Sequence, residues 1–200
     1  MEIKRITSGL FLTNNYLLIE NNHAILIDCG LDLINKLNLN GLILDAILLT
    51  HGHIDHIASI NSFDCPIYIY ENEEEFLSNN NLNLSQAFNI EFKFNHKRVI
   101  KLKNNEIISL LGHSIKVFHT PGHTRGSVCY LIDDYLFTGD TLFQVGIGRT
   151  DFVTGSYPDI ISSVNFILNN FKDDLIIYPG HGESTTIEFE KKYNPYYNKE

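Results

Sequence analysis

Short apolar runs recur along the chain, each closed by Gly, Asn or Ser. Residues 3–7, 16–20 and 24–28 read as strands, the first two bounded by Ser8-Gly9 and Asn14-Asn15 and the third ending at Cys29-Gly30. Leu31 to Leu37 has helical apolar spacing and runs into an Asn-rich turn. Leu42 to Thr50 is a longer, mostly apolar run, which predicts a buried strand. A helix is expected to start at Asp55 and continue through Ile57, Ala58 and Ile60. Pro66 to Tyr70 follows as a strand, then Glu71 to Asn79 as an acidic helix. Residues 79–105 are Asn-rich and weakly periodic, and are expected to form a helix and loops inserted before the second half. There, Ser114–His119, Ser127–Ile132 and Tyr135–Phe137 read as strands. Ile160, Ile161, Val164, Ile167, Leu168 and Phe171 share one face of an amphipathic helix with Pro158 in its first turn. Leu175–Tyr178 is the last strand expected. Two strand-rich halves, about 1–110 and 111–200, predict one α+β domain of two sheets face to face with helices outside.

Composition narrows the partners. Two hundred residues, 44% hydrophobic and 20% charged, suit one ordinary globular domain. A net charge of −9 argues against nucleic acid or an anionic membrane as the main partner, and means an anionic substrate needs a local basic contact. Lys93, Lys97, Arg98, Lys101 and Lys103 read as a solvated basic face. Cys29, Cys65 and Cys129 are too few and too scattered for a disulfide framework; they read as small buried hydrophobes in a reducing compartment. Polar residues interrupt Leu10 to Ile19 before a signal-peptide core forms, and no apolar stretch is long enough to span a bilayer, so the cytoplasm is expected.

The chemistry concentrates at strand ends. Thr50-His51-Gly52-His53-Ile54-Asp55-His56 packs three imidazoles and a carboxylate behind the apolar run. Side chains two apart on extended chain point the same way, so His51 and His53 can grip one ion while Asp55 and His56 reach past the bend to a second position. His123 sits in a Pro-Gly turn, Asp140 in Gly139-Asp140-Thr141, and His181 in Pro179-Gly180-His181-Gly182. Each of these three is weak alone, since turns favour such residues anyway. As an ordered set with the first loop they point to a metal centre.

This set, in this order, resembles the five-part signature of the metallo-β-lactamase superfamily. His119 to Ser127, Thr138 to Phe143, Gly146 to Phe152 and Tyr178 to Gly182 look like its hydroxyacylglutathione hydrolase (glyoxalase II) branch, short type. The resemblance runs from Asn15 to about Pro195. It implies an αββα sandwich of two mixed sheets with the site on their shared edge. It assigns His51, His53 and His123 to one divalent ion and Asp55, His56 and His181 to a second, zinc before iron or manganese. Asp140 bridges them and Asp55 orients a shared hydroxide, which gives both carboxylates catalytic roles. Asp28 is expected to brace the histidine loop by hydrogen bonds. His119 is expected to be structural, and His23, His96 and His113 to be surface residues without partners.

The implied reaction is hydrolysis of a small-molecule thioester such as S-lactoylglutathione by the metal-bridging hydroxide, with Arg149 either contacting the substrate or pairing with Asp151. Two departures from long glyoxalase II stand out: the chain stops near residue 200, without the C-terminal helical domain, and Asp151 stands where an aromatic hydroxyl is expected. The alternatives are a glutathione persulfide dioxygenase, which would use one iron on His51, His123 and Asp140, or a hydrolase of another ester, lactone or phosphoester. A β-lactamase fits less well, because a bridging Asp140 resembles the thioester hydrolases. The sequence leaves the oligomeric state open.

Overall fold

A computed structural model describes residues 1–95 and 98–198. Six strands form the first sheet in sequence order: β1 (Glu2–Ser8), β2 (Thr13–Glu20), β3 (His23–Ile27), β4 (Ile43–Leu48), β5 (Ile67–Tyr70) and β6 (Val99–Leu102). The first three pair antiparallel and the remaining pairings are parallel. The second sheet contains β7 (Ile107–Leu110), β8 (His113–His119), β9 (Val128–Ile132) and β10 (Tyr135–Gly139). Past a two-residue hairpin of β11 (Leu142–Phe143) and β12 (Gly146–Ile147), it is completed by β13 (Ile176–Pro179) and β14 (Thr185–Thr186). Its order is β14-β13-β10-β9-β8-β7, with only β10 and β13 parallel. The chain crosses between sheets after Leu102.

Strand alternation builds the layers. On β3, Ile25 and Ile27 face the second sheet and join Val117, Tyr130, Ile132 and Phe137 in the central core. Ala24 and Leu26 point the other way, into an outer layer with Ile54, Ile57 and Ile60. On β4, Ala46 and Leu48 go inward, Ile47 and Leu49 outward. That two-sided burial, continued by Leu49 just past the end of β4, is why the run reads as continuously apolar. The short helix α1 (Ile54–Ile57) covers one outer face. The 14-residue helix α2 (Tyr157–Asn170) covers the other, through Ile160, Val164, Ile167 and Leu168. Ser156 caps it, accepting from Asp159 N at 3.4 Å, and Pro158 lies in its first turn. The αββα sandwich of two mixed sheets is therefore the observed architecture.

Several expectations need correction. Leu31–Leu37 forms only a 3-10 turn over Leu33–Asn35, because Asp32 is left-handed (φ 60) and leaves Ile34 exposed. Glu71–Asn79 is 3-10 rather than α over Glu71–Leu77, with Glu73 turned into the interior. Residues 79–105 hold no helix among the described residues; their last stretch is β6, the parallel edge of the first sheet. His96 and Lys97 lie outside the described residues. The neighbouring Arg98 and Lys101 are exposed and paired with Asp64 and Glu74. The short α3 (Ile187–Tyr193), capped by Thr186, was not anticipated, nor were the edge strand β7, the β11–β12 hairpin and β14. No helix among the described residues is long and apolar enough to cross a membrane. The three cysteines are buried and free.

Candidate metal centre

The histidine loop leaves the C-terminal end of β4 at the edge where the sheets meet. The loops after β8, β10 and β13 bring His123, Asp140 and His181 to the same edge. Cross-sheet bonds hold them there: Val128 N donates to Thr50 O (2.9 Å), Tyr130 Oη to Leu49 O (2.7 Å) and Tyr16 Oη to Pro179 O (2.6 Å). Thr13 and His181 form an antiparallel bridge, and the Asn14 side-chain amide donates to Pro179 O and Gly182 O. Gly180 permits the last approach, because a Cβ there would land on Asp140 Oδ1 and lie 2.9 Å from His56 Cε1.

Seven side chains named from the sequence converge. Their potential ligand atoms form three overlapping sets, each within 4.8 Å: His51, His53 and His123; His51, His56 and Asp140; Asp55, His56 and His181. Asp140 lies between them, Oδ1 3.4 Å from His56 Nε2 and Oδ2 3.5 Å from His123 Nε2 and 3.4 Å from His181 Nε2. Asp55 Oδ2 lies 3.3 Å from His181 Nε2 and 3.5 Å from His56 Nε2. Tetrahedral ligands at 2.0–2.1 Å from one ion stand roughly 3.3–3.4 Å apart, so these spacings suit shared cations.

Outward hydrogen bonds free the inward nitrogens. His51 Nδ1 meets Thr50 Oγ1 (3.1 Å) and His56 Nδ1 meets Asp28 Oδ2 (2.8 Å). His123 Nδ1 meets Arg149 O (2.8 Å), and His181 Nδ1 meets Phe11 O (3.0 Å). With those Nδ1 atoms turned outward, each Nε2 faces the centre, where a bound cation would take the place of any proton on it. His53 differs: its Nδ1 faces His123 Nε2 at 2.9 Å. Among the described residues, His51 Nε2, His53 Nε2, His56 Nε2 and Asp140 Oδ1 are buried with no hydrogen-bond partner. Such groups cost about 1–3 kcal/mol each unless something satisfies them. Nitrogen and carboxylate donors so arranged suit a divalent transition ion.

Electrostatics divide the cluster. Burial, and then neighbouring imidazoles, push His51 well down and His53 to about 3; His123 is also lowered, mainly by burial. Burial opposes charge on His56 as well, yet Asp55, Asp28 and Asp140 outweigh it and raise that imidazole well above its ordinary value. His181 rises to about 10 against its own burial, under Asp140 and Asp55. His56 and His181 in turn hold Asp55 at about 2 despite its burial. One end offers neutral imidazoles, and the other is a carboxylate-rich pocket that attracts positive charge.

Asp28 braces the loop as expected, accepting from Thr50 N (2.8 Å), the Thr50 hydroxyl and His56. Glu73 does as much and was missed, read only as part of an acidic helix. It is fully buried and accepts from Gly52 N (2.8 Å) and Gly126 N (2.9 Å). Thr13 Oγ1 donates to Asp55 Oδ2 at 2.9 Å, a second unforeseen support. His119 stays out of the cluster, its ring bonded to Arg125 O and stacked on Tyr70. His23 and His113 are not without partners: they meet Asp45 (2.9 Å) and Asp133 (2.8 Å).

A cavity of about 420 Å³ opens over the cluster, walled by Phe11, Leu84, Phe88, Phe143, Ile147 and Phe152, with Arg149 at its edge. Arg149 forms a two-pronged pair with Asp151 (2.6 Å each) and its guanidinium lies 4.0 Å over the Phe152 ring. A larger cleft of about 650 Å³, over Glu71, Glu74 and Arg125, contains none of the cluster.

Fold and cluster together define a class: two-sheet αββα proteins that bind divalent metal at the sheet edge. The chain belongs to the metallo-beta-lactamase superfamily, whose family profile matches residues 8–181. It is 37% identical to the hydroxyacylglutathione hydrolase GloC of Haemophilus influenzae, across 90% of this chain and 89% of that one. Among solved structures, the BLEG-1 B3 metallo-beta-lactamase superposes with a TM-score of 0.86 at 36% identity, covering 98% of this chain and 99% of that one. TTHA1623 in a di-iron-bound form gives 0.83 at 28% identity, covering 96% and 99%.

Proposed function

We propose that this protein is a metal-dependent hydrolase that cleaves small-molecule thioesters such as S-lactoylglutathione. His51, His53 and His123 would hold one divalent ion, Asp55, His56 and His181 a second, with Asp140 shared. Zinc is the first candidate; the di-iron form of TTHA1623 makes iron the next. The observation that carries this reading is the pair of ligand triads flanking one central carboxylate. Bound there, such ions supply Lewis acidity toward an acyl carbonyl and lower the pKa of water from about 15.7 toward 7.

The chain's own residues do the rest. Asp55, fixed by the Thr13 hydroxyl, keeps an acceptor oxygen at the reacting face. Phe152 and Phe143 exclude bulk water from the His53 and His181 sides, at 5.5 and 5.9 Å between ring centres. Arg149 is the cation available to an anionic thiol moiety, drawn from its pair with Asp151. A thiolate leaves without a strong acid, since thiols have a pKa of about 8.5. Ser127 is no nucleophile: it is buried and bonded to Thr124.

The name and likeness of GloC support the thioester reading. The likeness to BLEG-1 keeps β-lactams as a second reading, so both belong in one substrate panel. The persulfide dioxygenase, with one iron on His51, His123 and Asp140, would leave His53, Asp55, His56 and His181 without a task.

Metal analysis of the purified protein, run beside thioester, persulfide and β-lactam substrates, tests the proposal. Two ions per chain and thioester turnover are expected. His53→Ala should lose metal and at least ~10²-fold in activity, while His119→Ala keeps both ions. One iron per chain with oxygen uptake on a persulfide would overturn it.

A further inference from the structure

Polar groups around the cavity are few and already occupied. Besides the proposed ligands, the only polar side chain lining it among the described residues is Arg149; no Ser, Thr, Asn, Gln or Tyr is present. The apolar groups form two walls at opposite ends of the ligand row. Phe152 accompanies Arg149 at the His53–His123 end, where Phe152 lies 5.5 Å from the His53 ring. Phe11 and Phe88 stand at the His181 end, and Leu84 lines the cavity with them: Phe11 O accepts from His181 Nδ1, and the Phe11 and Phe88 rings pack edge to face at 4.8 Å.

The second wall is anchored. Asn83 O accepts from Ile54 N (2.8 Å), the residue before Asp55, while the Asn83 amide donates to Phe76 O (2.8 Å). Leu84 follows with a left-handed backbone (φ 67), a conformation rare for a branched side chain. The Asn-rich segment thus sets Leu84 and Phe88 beside the reacting groups.

We infer that Phe88, with Phe11 and Leu84, selects thioesters whose acyl group is apolar, aromatic or branched, over hydroxyacyl groups such as lactoyl. The inference rests on the thioester reading and deepens it. Outside the proposed metal ligands, Arg149 is the one basic side chain lining the cavity among the described residues, and it sits at the opposite end from Phe88. A charged thiol moiety held there leaves the acyl group on the Phe88 wall. A lactoyl hydroxyl turned onto the Phe11 and Phe88 rings finds no hydrogen-bonding side chain on that wall, whereas a phenyl ring fills it. One added apolar group in such a pocket changes discrimination by roughly tenfold or more.

The test uses the metal-loaded full-length protein and two thioesters of the same thiol, S-phenylacetylglutathione and S-lactoylglutathione. The ratio of their kcat/KM values should fall at least tenfold in Phe88→Ala, and Phe88→Leu should restore most of it. Comparing ratios between variants cancels the intrinsic reactivity of each thioester. Phe88 is 41% exposed, so its truncation leaves the core intact. An unchanged ratio would overturn the inference. Binding of two uncleavable thioethers, S-benzylglutathione and S-methylglutathione, reads the same wall without turnover. A benzyl preference of tenfold or more that Phe88→Ala abolishes supports the inference even if neither thioester is hydrolysed, in which case the hydrolase reading alone fails. Equal binding of the two thioethers to the native protein overturns the wall as a selector.

Discussion

At Glu73, backbone N–H groups from two different sheets converge on one carboxylate. Gly52 lies in the loop after β4 and Gly126 in the loop before β9, so this side chain ties the histidine loop to the His123 loop. Gln has nearly the same shape but only one acceptor oxygen; its NH2 would confront an N–H. Glu73→Gln should therefore cost about 1–3 kcal/mol of stability. It should also weaken metal binding by roughly tenfold, as loss of a supporting contact does. Burial is the largest influence on the Glu73 carboxyl and raises it to about 7, against the pull of Gly52, Thr124 and Gly126. The native protein then keeps this proton in a range where the unfolded chain, near 4.5, has lost it. Stability contributed by this group is highest in acid, declines as pH rises from about 4.5 to 7, and is level above. Urea unfolding of both proteins at pH 5.5 and 8 isolates the effect: native stability should drop relative to Glu73→Gln at the higher pH. The opposite sign would mean that the backbone donors, not burial, set the ionisation of Glu73.

Individual elements carry the proposed ligands to a single edge, and the tightest delivery is the loop after β13. Gly180 passes so close to Asp140 and His56 that a methyl group has no room, whereas a Cβ at Gly182 meets nothing within 4 Å, although that residue is left-handed (φ 77). Gly180→Ala should push His181 and Asp140 apart, lowering kcat by about 10²-fold, since small misplacements at a reacting centre have that effect. Gly182→Ala should cost only ~1 kcal/mol of backbone strain and keep metal and turnover. Metal content and steady-state rates of the two variants decide the matter; equal behaviour would remove close approach as the reason for Gly180. The same element-level view explains what was legible in the sequence. β3 and β4 bury both faces, so their apolar runs are unmistakable, and each proposed ligand is a residue type that a metal demands, placed where a strand stops. Glu73, Leu84 and Phe88 carry no such mark. Their roles arise from contacts with loops distant in sequence, and Leu84 and Phe88 lie in a stretch with little periodicity. β7 and α3 were obscured differently, since an edge strand and a seven-residue helix bury too few residues to leave a repeating pattern, whereas the helical spacing of Leu31–Leu37 overstated what is a single 3-10 turn.

Across the whole molecule the proposed ligands are drawn from both sheets. His51, His53, Asp55 and His56 follow β4 in the first sheet, whereas His123, Asp140 and His181 follow β8, β10 and β13 in the second. Ions held by both groups, as proposed, would cross-link the sandwich at the edge where the two sheets meet. The unfolded chain cannot reproduce that arrangement, so binding free energy becomes folding free energy. With free metal at 100 times the dissociation constant, the gain is about 2.7 kcal/mol per site. For a chain of 200 residues each kcal/mol moves the melting midpoint by roughly 2–4 °C. Chelation of one such site should accordingly lower the midpoint by about 5–10 °C, and re-addition of zinc or iron should restore it. His53→Ala should narrow the gap between loaded and chelated protein, because one ligand triad loses a member. If chelation strips the metal, as metal analysis can verify, yet leaves the midpoint unmoved, metal binding is not coupled to folding and the proposed ions do not hold the two sheets together.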